Sequence, residues 1–258
     1  GGLATVGVRM PEDETARALI AAAGTPIAAP SANLSGKPSP TRYSHVAEDL
    51  DGRIDAIIAG DDCKAGIEST VVDMTGAVPT ILRPGVITRE MLREALNGEV
   101  AVDPALFEKP DIFNNDGNGL LQTGADFHPK APGMKYKHYA PKADLKIVEG
   151  REDEVIAAIN RLVEQGNKAG EKVGVIATEE TKGLYEGGIV KSIGSRKDEL
   201  SIARHLFGIL RDFDELKVDR IYSEAFDTPR MGQAIMNRLM KAAGHQVIRL
   251  GEKKDETV

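Results

Sequence analysis

The sequence predicts an α/β protein in two parts, a mixed-sheet part over residues 1–98 and an open, largely parallel sheet over residues 143–258, joined by a linker over residues 99–142. Short β-branched runs alternate with helical periodicities in both parts, which is the texture of packed strands and helices. Between them the pattern collapses: Asn114, Asn115, Gly117, Asn118 and Gly119 cluster and prolines recur, so this stretch connects two units rather than lying inside one. After Lys142 the order becomes β-α-β-α, the order that lays helices on both faces of a parallel sheet, a Rossmann-like layout.

The elements follow in order. Residues 3–8 are small and β-branched and stop at Met10-Pro11, as a strand does. Residues 12–23 read as a helix with Ala16, Leu19, Ile20 and Ala23 on one face, acidic residues in its first turn and Gly24 at its end. A buried strand is expected at 26–29, a helix at 42–50 and strands at 56–59 and 80–83. Thr88 starts a helix with Met91, Leu92 and Leu96 on its apolar side. So many short strands favour a mixed sheet. In the second part, strands are expected at 145–148, 173–177, 189–193, 220–223 and 247–250, and helices at 152–165, 199–214 and 231–243.

With 33 basic and 40 acidic residues the formal charge is −7, which gives no overall cationic field to draw the chain onto nucleic acid without regard to sequence. Cys63 is the only cysteine, so an internal disulfide and a four-cysteine zinc site are excluded. No apolar run approaches a membrane span, and residues 1–5 do not read as a secretory signal; a reducing cytoplasm and no membrane partner are expected. His45, His128, His138, His205 and His245 show no paired metal spacing and read as surface or loop residues. There is no G-x-G-x-x-G after any strand, no G-x-S-x-G elbow and no P-loop.

Three features carry chemistry. Pro30-Ser31-Ala32-Asn33-Leu34-Ser35-Gly36 follows a strand, where α/β sheets place ligand loops, and offers hydroxyls, a carboxamide and backbone N–H groups to an anionic, oxygen-rich ligand. Taken alone it is equally an ordinary Ser/Asn/Gly turn. Arg9 and Arg83 each follow a strand and stand beside a proline, so two guanidiniums could converge on one polyanion, although taken alone a pair of surface arginines is the favoured explanation. Glu68-Ser69-Thr70 adds two hydroxyls and a carboxylate before the Val71-Val72-Asp73 run, a weak signal by itself.

The ordered set TVGVRMP, PIAAPSANLSGKPSP, GIESTVVD, PTILRPGVITRE and APGMKYKHYAPKA, continued by AIMNRLMKAAG, resembles the threonylcarbamoyl-AMP synthase family, the YrdC-like enzymes with an extra C-terminal domain. The resemblance implies a partial YrdC-like catalytic domain followed by the Rossmann-like one. It implies a nucleotidyltransferase that joins L-threonine, bicarbonate and ATP into threonylcarbamoyl-AMP and pyrophosphate for tRNA modification to threonylcarbamoyladenosine. Mg²⁺ would come with the ATP, and RNA or proteins of the same pathway are further implied partners. Residue by residue, it implies that Arg9, Ala29 and Ser69 contact threonine. Thr5, Ser31, Asn33, Ser39 and Arg83 would contact ATP, with Tyr136 and Tyr139 of the linker motif covering it.

One departure stands against these matches. The family's KxR motif, whose basic side chains neutralise the triphosphate, would precede Gly1, so the resemblance implies that the N-terminal part of the catalytic domain is missing. A non-catalytic nucleotide- or RNA-binding module is therefore the alternative reading. No protein nucleophile is expected, because the reaction asks for positioning and charge neutralisation.

Overall fold

The computed structural model describes residues 4–106 and 139–251. Its first part begins with α1 (Glu14–Ala23), capped by the Asp13 carboxylate, which accepts from the Ala16 N–H at 2.7 Å, and α2 (Tyr43–Leu50). A three-stranded sheet follows: β1 (Val71–Asp73) pairs antiparallel with β2 (Thr80–Arg83), and β2 pairs parallel with β3 (Ala101–Val102). Between β2 and β3 lies α3 (Arg89–Leu96), whose N-cap is Thr88. The sheet is mixed, as expected, but β3 falls in the stretch assigned to the linker, because two residues carry no readable alternation.

Three expected strands do not form. Residues 4–10, 26–30 and 56–60 belong to no sheet, and Val6, Val8 and Met10 are 85%, 90% and 84% exposed. Their composition suits strands, but a strand exists only when another backbone takes its hydrogen bonds, and no such pairing occurs among the described residues. The apolar faces expected for α1 and α3 are only partly covered among the described residues: Ala16, Ile20 and Leu92 are half-buried and neither helix has a fully buried residue.

The second part follows the sequence closely. Strands β4 (Asp144–Glu149), β5 (Val173–Ala177), β6 (Ile189–Ser192), β7 (Arg220–Glu224) and β8 (Val247–Arg249) form one parallel sheet in the order β6-β5-β7-β4-β8. Alternation divides each strand between two cores. Val148, Val173, Val175, Ala177 and Tyr222 pack with α4 (Glu152–Lys168), whereas Leu145, Ile147, Ile176 and Ile221 share a core with α5 (Glu199–Glu215) and α6 (Gly232–Ala242). Ile67 from the first part joins this second core, 6% exposed. Its burial contributes about 1.5–3 kcal/mol, favouring docking of the two parts. No helix among the described residues is long and apolar enough to cross a membrane.

Candidate functional site

The site is built where the turn after β2 meets the segment before β1. Gly85 sits so close to that segment that a Cβ would stand 2.4 Å from the Thr70 nitrogen and 2.7 Å from the Glu68 carbonyl oxygen, so only glycine admits the contact. Gly66 does the same against the second part, where a Cβ would stand 2.1 Å from the Arg204 carbonyl oxygen on α5. Residues 66–70 are thus threaded between α5 and the β2 turn.

Side chains then fix the segment. The buried Arg83 guanidinium donates from Nε and Nη2 to the Ser69 carbonyl at 3.1 and 3.0 Å. Ser39 Oγ donates to Glu68 Oε1 at 2.7 Å, which brings the Ser31–Pro40 loop to the same place. Tyr139, 9% exposed and stacked on Phe207 at 4.8 Å between ring centroids, also faces Glu68. Burial and then the Glu68 charge push its phenol up to about 12, so it stays protonated. Glu68 itself is raised by burial, but Arg238 and the Ser39 hydroxyl outweigh that and hold its carboxyl below the usual range, so it is ionised at neutral pH.

Charge gathers around this carboxylate. Arg83 feels the charges of Arg238 and Arg9, and Lys241 feels those of Arg238 and Arg83. Burial first and these arginines second lower the Lys241 ammonium to about 8. Arg83, Arg238 and Lys241 gather around this one carboxylate, with Arg9 in electrostatic reach of Arg83, and make a local positive field in a chain whose overall formal charge is −7, which suits an anionic ligand.

The structure therefore brings together Ser39, Ser69, Arg83 and Tyr139, with Arg9 in electrostatic reach. Thr5, Arg9, Ala29 and Ser31 are exposed. Asn33 closes its own loop: its Nδ2 donates to the Leu34 and Lys37 carbonyls at 2.9 and 3.2 Å, while its Oδ1 is buried without a donor. Tyr136 lies outside the described residues, as do His128 and His138. His45 is no surface residue: it is 2% exposed, and its Nδ1 accepts from the Thr41 N–H at 3.2 Å. His205 and His245 are half-buried.

Sequence reasoning passed over Arg238 and Lys241 and found in Glu68 only a weak signal. The available signal was a charged residue on an apolar helix stripe, since Arg238 lies between Ala234, Ile235 and Ala242 on α6. No group of three or more His, Cys, Asp or Glu side chains among the described residues is placed to hold a metal. A cavity of about 690 Å³ opens beyond the Pro84-Gly85 turn, but its walls exclude Ser39, Ser69 and Arg83, and volume alone does not outweigh the charge cluster.

A second network holds the loop from the other side. Arg211 of α5, 3% exposed, donates from Nε and Nη2 to the Pro38 carbonyl at 3.1 and 2.7 Å and from Nη2 to Asp49 Oδ2 at 2.8 Å. Asp49 also accepts from Lys37 Nζ at 2.6 Å and from the Leu34 N–H at 3.3 Å.

Comparison with known proteins agrees with this architecture. Residues 87–244 match the family model described as threonylcarbamoyl-AMP synthase, C-terminal domain, and residues 1–85 match one described as telomere recombination. The chain is 47% identical to the threonylcarbamoyl-AMP synthase of Bacillus subtilis over 96% of its own length and 66% of that protein's. It is 44% identical to the Pyrococcus abyssi protein of the same name over 97% and 67% of the two lengths. The chain thus spans about two thirds of these curated relatives. Among solved structures it is similar to the P. abyssi Sua5 protein complexed with L-threonine, with a TM-score of 0.81, 41% identity, and coverage of 97% of this chain and 67% of that one.

Proposed function

Because the chain belongs to the threonylcarbamoyl-AMP synthase family, we propose that it carries the substrate site of an L-threonylcarbamoyladenylate synthase, a nucleotidyltransferase that uses L-threonine, bicarbonate and ATP. The observation that supports this reading is the cationic cluster of Arg83, Arg238 and Lys241 around the Glu68–Ser69 segment, with Arg9 in electrostatic reach of Arg83. In this reading Arg9, Ala29 and Ser69 take threonine, with the Arg9 guanidinium on its carboxylate. Thr5, Ser31, Asn33, Ser39 and Arg83 take the nucleotide, and Tyr136 and Tyr139 border it.

The amine of threonine adds to CO₂ derived from bicarbonate and loses a proton, giving a carbamate. A carbamate oxygen then attacks the α-phosphorus, the bond to the bridging oxygen breaks, and pyrophosphate leaves. The protein's part is to align the two anions and offset their charge, which requires no covalent intermediate. Mg²⁺ belongs in this scheme to the triphosphate, since the carboxylate of the cluster, Glu68, is engaged by Ser39 and Arg238 and is no free ligand. Cytoplasmic tRNA modification, with contact to RNA or to proteins of that pathway, completes the reading.

The test is pyrophosphate release from ATP that depends on both threonine and bicarbonate. It is measured with the chain alone and with the chain preceded by the KxR-bearing segment of a relative. Dependent release in either form is the expected result. Release in neither, with tight RNA binding and no threonine-dependent ATP binding, replaces the enzyme by a binding module.

A further inference from the structure

The AIMNRLMKAAG stretch contains Arg238, whose side chain is 1% exposed although it stands on α6 of the second part. Its guanidinium leaves that part. Nε donates to Glu68 Oε2 at 3.1 Å, Nη2 to the Glu68 carbonyl at 3.2 Å, and Nη1 to the Pro84 carbonyl. Each partner adjoins a candidate substrate residue: Glu68 precedes Ser69 and accepts from Ser39 through its other oxygen, and Pro84 follows Arg83.

Burying an arginine costs desolvation that a hydrophobic residue of similar volume would avoid, so stability alone does not explain its presence. A planar fork gives what methionine cannot, fixed directions toward one carboxylate and two carbonyls at once. We propose that Arg238 is a positioning residue. From the C-terminal domain it sets the relative places of Ser39, Ser69 and Arg83, so that domain is a working wall of the substrate site. The inference rests on the proposed function for which substrates are aligned, but the alignment itself is measurable without them.

Arg238→Met and Arg238→Lys test it by two readouts. Amide hydrogen exchange of residues 67–70 is followed in the chain without substrate, and KM for threonine in whichever form turns over. Arg238→Met is expected to stay folded, to exchange roughly tenfold faster at 67–70, and to raise KM for threonine by about tenfold with a smaller change in kcat. Arg238→Lys keeps a charge near Glu68 without the fork and is expected to recover part of both effects. A folded Arg238→Met with unchanged exchange and unchanged KM overturns the proposal. If Arg238→Met does not fold, Glu68→Gln decides by the same readouts, since it weakens the charged link while keeping the shape. If the parent protein shows no threonine-dependent turnover, the functional reading falls, and exchange alone decides the positioning.

Discussion

Replacing Arg211 by methionine is expected to destabilise the protein by about 3 kcal/mol at pH 7, the low end of the range for removing one partner of a buried ion pair. The side chain of Asp49 is 0% exposed, so its charge cannot be transferred to water when Arg211 goes. The substitution also leaves the Pro38 carbonyl without its two donors. The cost stays at the low end because Lys37, at 2.6 Å, and the Leu34 N–H still face the carboxylate. The pair has a pH signature as well. Burial raises the Asp49 carboxyl, but Arg211, Lys37 and the Leu34 N–H more than offset that and bring it from 3.8 to about 2. A folded value below the unfolded one means stability that is complete above pH 4 and lost as pH falls from about 4 to about 2. Urea unfolding at pH 7 and pH 3 reads both effects. The parent should weaken between the two, Arg211→Met should weaken less, and Arg211→Met with Asp49→Leu should recover much of the loss at pH 7. If Arg211→Met lies within about 0.5 kcal/mol of the parent at pH 7, the pair does not join the two parts.

Three further outcomes are expected. Gly66→Ala puts a Cβ 2.1 Å from the Arg204 carbonyl oxygen and should cost about 1–3 kcal/mol, read as a lowered unfolding midpoint; an unchanged midpoint would mean that α5 yields freely. The Lys241 ammonium is lowered by burial and by Arg238 and Arg83 to about 8 from 10.5, so the fold should gain stability as pH rises through 8 toward 10.5. Lys241→Met should abolish that rise, and a persistent rise would assign it to another group. Arg9→Ala should weaken threonine by about 1.5–3 kcal/mol and ATP much less, measured by calorimetry on the form that turns over, and equal losses for both ligands would contradict its assignment to the threonine carboxylate.

The second domain was legible because each of its strands carries its own evidence: Val173–Ala177 is apolar throughout, and helices flank it at regular distances. The first part was less so. Residues 4–10, 26–30 and 56–60 have strand composition, yet pairing is a property of two segments, and composition reports only one. The candidate site divides the same way. Ser39, Ser69, Arg83 and Tyr139 were marked by ordered motifs and do meet, whereas Arg238 and Arg211 act across 170 and 162 positions, a separation that no local pattern records.

What the sequence did contain was a local inconsistency on each of two helices. Arg211 falls in a stripe with Phe207 and Leu210, and Arg238 in one with Ile235 and Leu239, positions where a charge is costly unless a partner waits. Both partners lie in the first part, at Asp49 with Pro38 and at Glu68 with Pro84. Apolar contact such as that of Ile67 favours docking without fixing direction, since a slide of a fraction of a residue loses little buried area. A guanidinium held on a carboxylate and a carbonyl has no such freedom, because any slide leaves a buried charge unpaired. Two such anchors on adjacent helices allow one register, and that register brings the Ser31–Pro40 loop to the Glu68–Ser69 segment.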